Sequence, residues 1–320
     1  MSGRFVFALL VFAIALPAVS QQYPARPIRI IVPFAVGGPS DIMARIMAQK
    51  LTEIHGQQIV VDNRVGAGGN IGIGIAAHAT PDGHTILVVS SAYVVNPGLY
   101  ARKSSYDPYK SFAPVSKMVA SPNAFISHPS VPAKSMQELV KLIHSAPSKF
   151  SMATPGIGTT PDLAAVLFKL TTKLEFPTVP FNGAGPVVVT ILGNQLPVGC
   201  LAITPAVQHI LGGRLRALAV TSAKRSAAIP DVPTMAESGF TGQESDTMQG
   251  MLVPAGTPQA IVQRLHSDVV KILSHPETRK RLATLGFDIV ASSPREFAEQ
   301  IRSEVTKWTK VVNDAGIKVE

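Results

Sequence analysis

The sequence predicts an α/β fold in which strands alternate with helices and lie parallel to one another. Short β-branched runs recur along the chain, glycine turns follow several of them, and segments with apolar residues three or four apart come next. Hydrophobic residues make up 46% of the 320 residues and charged residues 15%. This composition excludes a disordered chain or a coiled coil, and the length predicts one large or two medium domains.

The N-terminus has the pattern of a secretory signal. Arg4 is the one charge among the first twenty residues, an apolar run covers residues 5–16, and Pro17 and Ser20 precede a polar stretch. We therefore predict a signal peptide over residues 1–20, cleaved after Ser20, and an exported mature chain. The alternative is a buried first helix or strand. The apolar run is too short to cross the ~30 Å hydrocarbon core of a bilayer.

Two series of strand–turn–helix units follow in order. In the first series, strands are predicted over 28–34, 58–62 and 85–90, with helices from Ser40 and over 71–79. In the second, strands are predicted over 123–126, 150–153, 176–181, 196–202 and 215–221, with helices over 135–145, from Thr160 and after 182–186. Ser135 with Glu138 three residues later predicts a capped helix start.

The C-terminal part is predicted to be helical. Thr257 is expected to cap a helix with Pro258 at its first position, and Ser293 with Glu296 forms a capping box before the last helix. Trp308 falls on the apolar face of that helix, which favours a core position over a ligand-stacking one. Cys200 stands in an apolar run and is predicted to be a buried packing residue without an internal disulfide partner.

Charge and motifs exclude several function classes. The net charge is +9, but the basic residues are scattered and there is one Trp, so a nucleic-acid partner is not expected. A mildly positive field favours small anionic ligands. We find no Walker, HExxH, GxSxG or CxxC motif, so neither a cofactor nor a metal is predicted.

The most informative feature is a strand that ends in glycines and opens directly into a helix. It occurs at residues 34–41, 154–162 and 182–187. The first turn of a helix has unpaired N–H groups and partial positive charge, and glycines let an anion approach closely. The alternative is that these are ordinary strand–helix turns. Asp162 would repel an anion, so its side chain is predicted to complement the helix dipole and face solvent.

Eight segments in the same order resemble the tripartite tricarboxylate transporter substrate-binding family, the Bug-type periplasmic receptors. The resemblance runs from about Tyr23 to the C-terminus and includes IIVPFAVGGPSDIMAR (30–45), ATPGIGTTPDLAAVLF (153–168) and VPFNGAGP (179–186). It implies a two-lobe, type II-like periplasmic binding protein fold with a ligand cleft between the lobes. Lobe I would comprise residues 21–121 and 247–320, and lobe II residues 122–246.

The resemblance also implies the ligand-binding residues. From the first lobe these are Phe34, Ala35, Gly38, Ser40 and Asp41, with Ser90 and Ser91 facing the cleft; from the second they are Gly156, Gly158, Thr159, Thr160, Phe181 and Asn182. Asp162 stands where many members have His, and Phe181-Asn182 replaces a common Tyr-Lys pair. As a hypothesis, Asp162 or Asp246 could therefore recognise an amino group of the ligand.

The resulting expectation is a monomeric periplasmic solute-binding protein rather than an enzyme. It would capture a small carboxylate (a di- or tricarboxylate, an aromatic acid or an acidic amino acid) and deliver it to membrane transporter subunits. One alternative is a sensor domain for a membrane signalling partner. The other is an exported hydrolase with Ser40 or Thr159 as nucleophile, which would need a base that neither loop contains.

Overall fold

The computed structural model describes residues 23–100, 104–147, 150–314 and 316–317. The predicted signal peptide lies outside these ranges. Within them, no helix combines the length and the apolar character that a membrane span requires.

The first group of elements follows the predicted order. It consists of β1 (Ile28–Val32), α1 (Pro39–His55), β2 (Ile59–Asn63), α2 (Asn70–Ala77), β3 (Thr85–Ser90) and α3 (Ala92–Leu99). Strand β1 lies between β2 and β3 and is parallel to both. Because helices cover both faces, Ile30 and Ile31 are equally buried although they point in opposite directions.

The second group also follows the predicted order after a long strand, β4 (Phe112–Ser127). It contains α4 (Met136–Ser145), β5 (Met152–Thr154), α5 (Thr160–Thr172), β6 (Thr178–Pro180), α6 (Ala184–Leu192), β7 (Val198–Ala202), α7 (Val207–Leu211) and β8 (Arg216–Val220). Strand β5 is parallel to β6 and β7. Cys200 on β7 is fully buried, as predicted.

The chain ends with β9 (Asp246–Pro254), α8 (Gln259–Ser274), α9 (Pro276–Thr284), β10 (Asp288–Ile289) and α10 (Pro294–Asp314). Ser135 and Ser293 accept hydrogen bonds from the Glu138 and Glu296 N–H groups, which confirms both predicted caps. The predicted cap at Thr257 is wrong, because its hydroxyl donates to the Pro254 carbonyl instead. Trp308 is buried in the core beneath α10, as predicted.

The centre of the sheet is antiparallel, which corrects the prediction of parallel strands throughout. The strand order is β2-β1-β3-β9-β4-β7-β5-β6, and β9 runs antiparallel to both β3 and β4. Strand β4 pairs with β9 up to Pro122 and with β7 from Asn123 onward. It therefore links the two groups of strands directly.

This pairing supports our proposal that the chain crosses between two lobes twice. In this proposal the first crossing lies within β4 at Pro122–Asn123, where its pairing partner changes, and the second lies at Ser245–Asp246, where β9 begins. Each group of strands has its own pair of hydrophobic clusters, one on each face. Separate cores joined by two adjacent strands are the arrangement that permits hinge motion.

Candidate functional site

A narrow cavity lies where the glycine loops of the two strand groups meet. We call it the front cavity. Its volume is about 30 Å³, which is enough for only a few water molecules. It is lined by Phe34, Gly38, Pro39, Ser40, Ser90, Pro155, Thr159, Pro161, Gly183, Ala184, Ala202, Thr247 and Gln249. None of these residues is a lysine, an arginine or a histidine.

Three helices begin at this cavity. The N-cap residues of α1, α5 and α6 are Gly38, Thr159 and Gly183, and in none of the three does a side chain cap the first turn. Their free N–H groups and the positive ends of their dipoles therefore converge on one small volume from both strand groups. Convergence of this kind can bind an anion without a cationic side chain.

Gln249 on β9 is a polar side chain at the wall of this cavity. It is fully buried, and its Oε1 accepts a hydrogen bond of 2.6 Å from Ser40. Its Nε2 has no hydrogen-bond partner among the described residues. A buried amide N–H without a partner is costly, so this group is a ready donor for a ligand atom in the cavity.

The structure brings five of the fourteen residues predicted for the site to the front cavity. These are Phe34, Gly38, Ser40, Ser90 and Thr159. The other nine lie behind the loops, at the contact between them or on another surface, and their positions explain what each does.

Ala35 in the 34–41 loop and Asn182 in the 182–187 loop join these two loops directly. The Ala35 N–H donates to the Asn182 carbonyl across the cleft, at 2.8 Å. Beside this contact, Gly185 lies so close to the Val36 carbonyl that an added Cβ would collide with it. Phe181 lies at the outer edge, where it shares a shallow apolar depression with Val36. These residues therefore hold the lobes together at the mouth of the cavity.

Asp41 stabilises the 34–41 loop through hydrogen bonds outside the cavity. Its carboxylate accepts hydrogen bonds from the Gly37 N–H and from Arg45 and Asn63. Burial opposes its ionisation, yet these hydrogen bonds outweigh burial and hold the pKa of the carboxyl below its usual value. The side chain is saturated by protein donors, so it shapes the loop rather than facing the cavity.

Asp162 plays the same part in the second loop, and its predicted exposure to solvent is wrong. It is buried and accepts hydrogen bonds from the Thr154 hydroxyl and the Gly158 N–H, at 2.9 and 3.1 Å. Burial raises the pKa of its carboxyl, and the two hydrogen bonds offset this only in part. Asp162 is buried because the Gly158 N–H group in this loop requires an acceptor. Gly156 accepts from the Thr159 hydroxyl in the same loop.

Thr160 connects the 154–162 loop to strands β9 and β4. Its hydroxyl lies 2.8 Å from that of Thr247, which in turn donates to Asn123 Oδ1 at 2.6 Å. Because the single Thr247 proton goes to Asn123, Thr160 must be the donor to Thr247. A movement of β4 or β9 is thus transmitted to the start of α5.

Ser91 and Asp246 lie away from the front cavity. Residues alternate between the two faces of β9, so Thr247 and Gln249 reach the front cavity while Asp246 and Met248 point to the opposite face. There they line a separate cavity of about 250 Å³, which we call the rear cavity. Ser91 also lies there, bonded to the Asp246 carbonyl and the Met248 N–H.

The Asp246 carboxyl titrates in an accessible pH range. Desolvation by the surrounding protein, and then the charge of Asp288, raise its pKa to about 6. The folded state therefore holds the proton more tightly than the unfolded chain, where the pKa is about 3.9. Ionisation between these two values costs stability, so stability falls as the pH rises through this window and is unaffected below it.

We expect Asp246→Asn to remove this pH dependence. The melting temperature of the natural protein should fall relative to that of the variant between about pH 4 and about pH 7. Because solvent reaches the side chain, the difference should be below about 1 kcal/mol. Thermal melts of both proteins across this range test the assignment, and a constant difference would contradict it.

The two hydroxyls considered as nucleophiles are engaged with other acceptors. Ser40 donates to Gln249, and Thr159 donates to the Gly156 carbonyl at 2.8 Å. Neither forms a hydrogen bond with a histidine in the described part of the chain. Among the described residues, the front cavity thus has donors for an anion and no histidine bonded to either hydroxyl.

Sequence reasoning missed several residues of the front cavity, above all Thr247 and Gln249. A short signal was present at the start of the segment 246–254, where Thr247 and Gln249 flank the apolar Met248. This alternation indicates a strand with one polar face. Its position opposite the glycine loops depends on antiparallel pairing with β3 and β4, which the local sequence does not encode.

Comparison with known proteins identifies the family of this chain. The profile of the tripartite tricarboxylate transporter family receptor matches residues 43–317. The structure of the periplasmic binding protein BugD is 34% identical, with a TM-score of 0.89 over 93% of this chain and 100% of that chain. MatC from Rhodopseudomonas palustris, with bound malate, is 30% identical, with a TM-score of 0.85 over 91% of this chain and 100% of that chain.

A second Rhodopseudomonas palustris structure, with adipate, is also 30% identical, with a TM-score of 0.89 over 92% of this chain and 99% of that chain. The profile match covers most of the sequence, and each of these likenesses extends over nine-tenths of it. The chain belongs to the tripartite tricarboxylate transporter receptor family of periplasmic solute-binding proteins.

Proposed function

We propose that this protein binds a small linear carboxylate in the front cavity, without a cofactor and without chemical conversion. The observation that carries the proposal is the convergence of three uncapped helix starts on the unpartnered amide of Gln249. Together they offer N–H donors from both strand groups. A carboxylate group satisfies these donors through its two oxygens.

The absence of cationic side chains from the cavity wall shapes the selectivity. The cavity combines backbone donors with apolar groups of Phe34, Ala184 and Ala202. Backbone N–H groups have fixed positions, so they discriminate between acids by length and shape more than by total charge. Related structures with malate and adipate support a linear dicarboxylate as ligand class.

Binding requires movement of the lobes. The front cavity as it stands has room for only a few water molecules, and Ala35 contacts Asn182 across its mouth. The lobes therefore separate around β4 and β9 to admit a ligand and approach again around it. The Thr160–Thr247–Asn123 hydrogen bonds link this movement to the site.

We further propose that the chain is exported through the predicted signal peptide, acts as a monomer in the periplasm and passes its ligand to membrane transport subunits. The family membership supports this assignment. A membrane sensor would use the same closed conformation. Loss of carboxylate uptake in a strain that lacks this protein supports transport, whereas unchanged uptake with lost transcriptional induction favours sensing.

A thermal-shift series of linear dicarboxylates tests the ligand class. The mature protein, denatured and refolded to remove carried-over ligand, is screened against dicarboxylates of three to eight carbons, monocarboxylates and matched diamides. A ligand at about 100 times its Kd adds about 2.7 kcal/mol, which raises the melting temperature by a few degrees. We expect a maximum at one dicarboxylate length and no shift with diamides. Equal shifts with diamides would contradict anion recognition.

A further inference from the structure

The rear cavity contains two opposite charges that have no partner. It is formed by α3, β4, the start of β9 and α10 together with residues of the second strand group such as Glu244. Its volume of about 250 Å³ is about eight times that of the front cavity. It lies on the face of β9 opposite to the front cavity, because Asp246 and Met248 alternate with Thr247 and Gln249.

Lys117 and Asp246 supply these charges. Within the described part of the chain, neither side chain forms a salt bridge or a side-chain hydrogen bond, although both line the same cavity. Lys117 is half-buried, and burial lowers the pKa of its ammonium despite the nearby charges of Glu304 and Asp246. Lys117 is half-buried and Asp246 is exposed at the cavity wall, and neither charge is paired among the described residues, so both gain from a ligand that pairs with each of them.

The other charged groups at this cavity are already engaged or lie at its edge. Glu304 accepts a 2.7 Å hydrogen bond from the Trp308 indole N–H, and Lys307 lies 5.0 Å from the centre of the same ring. Glu244 is exposed. The pair that remains for a ligand is therefore one cation on β4 and one anion on the adjacent strand β9, where the charge of Asp288 also acts on Asp246.

We propose that the rear cavity is a second binding site, specific for a small zwitterionic amino acid whose carboxylate pairs with Lys117 and whose ammonium pairs with Asp246. A simple anion would satisfy Lys117 alone, and a simple amine would satisfy Asp246 alone. A zwitterion satisfies both and enters without a change in net charge. This site is independent of the proposed carboxylate binding at the front cavity.

Trp308 makes the site directly observable. It is the one tryptophan of the chain and lines the rear cavity, whereas the front cavity contains none. A ligand beside the indole changes the polarity around it and should shift its emission. The probes are glycine, β-alanine and γ-aminobutyrate, which place the two charges at increasing separations, with acetate and ethylammonium at equal ionic strength as single-charge controls.

We expect a saturable emission change with at least one of the three zwitterions and none with acetate or ethylammonium. Lys117→Met and Asp246→Asn should each weaken the response at least tenfold. The matched controls Lys110→Met and Asp231→Asn change the same charges at exposed positions outside the cavity and should respond as the natural protein does.

The Gly38→Glu variant separates the two sites, because it blocks the front cavity and should leave the zwitterion response intact. The proposal is overturned if no zwitterion gives a response, if acetate or ethylammonium responds equally, or if the response disappears in Gly38→Glu and persists in Lys117→Met. Dicarboxylate thermal shifts measured on Lys117→Met report the front cavity alone, so the two proposals can fail separately.

Discussion

Gly38→Glu should abolish carboxylate binding while leaving the protein folded. Gly38 lies at the start of α1 in the wall of the front cavity, with an unstrained φ of −82°. An added Cβ would make ordinary contacts of 3.6 Å to the Ala35 carbonyl and 3.7 Å to the Ala184 N. The glutamate carboxylate would then occupy the N–H groups that the ligand needs.

We expect the affinity for the best dicarboxylate to fall at least ~100-fold, which corresponds to about 2.8 kcal/mol. The melting temperature should stay constant or rise, because a negative charge at a helix start is favourable by about 0.3–1 kcal/mol. Calorimetric titration and thermal melts measure both quantities. Gly38→Gln adds nearly the same bulk without charge and should bind better than Gly38→Glu. Unchanged affinity in Gly38→Glu would mean that the site is elsewhere.

Gly158→Glu would alter another of the predicted binding residues, but it is unsuitable as a test. Gly158 has a φ of +79°, where side chains are strained, and its added Cβ would collide with Leu99. Its N–H group also donates to the buried Asp162. Loss of binding in this variant would therefore reflect disruption of the loop, so Gly38 is the more informative position.

Gln249→Glu should produce the second large effect. The change is nearly isosteric and retains an oxygen that can accept the Ser40 hydrogen bond. It replaces the unpartnered Nε2 donor by an acceptor that carries negative charge. Hydrogen bonds to charged groups contribute about 1.5–3 kcal/mol, and charge repulsion adds to this, so we expect at least ~100-fold weaker binding at neutral pH.

The pH dependence of this variant provides an internal control. A buried carboxyl has a raised pKa and donates a hydrogen bond once protonated. The affinity of Gln249→Glu should therefore recover in part on acidification, whereas that of the natural protein should not rise. Gln243→Glu alters another fully buried glutamine that does not line the front cavity, and its affinity should be unchanged. Equal losses in both variants would indicate general destabilisation.

The sequence by itself determined the elements of this protein and the residues at the helix starts. Local signals carry that information: glycine turns, Ser135 and Ser293 as caps, and the apolar period of each helix. The glycine loops that contain Gly38 and Thr159 were recognised because an anion-binding helix start is a local structure, formed by residues adjacent in the chain.

Only the tertiary structure decided which surfaces of these elements meet. Gln249 reaches the front cavity because β9 pairs antiparallel with β3 and β4, residues far away in sequence. The same pairing turns Asp246 to the opposite face and places it in the rear cavity with Lys117. Asp162 turns inward because a loop N–H group requires a buried acceptor. Strand pairing and side-chain burial depend on non-local contacts, which residue patterns along one segment do not specify.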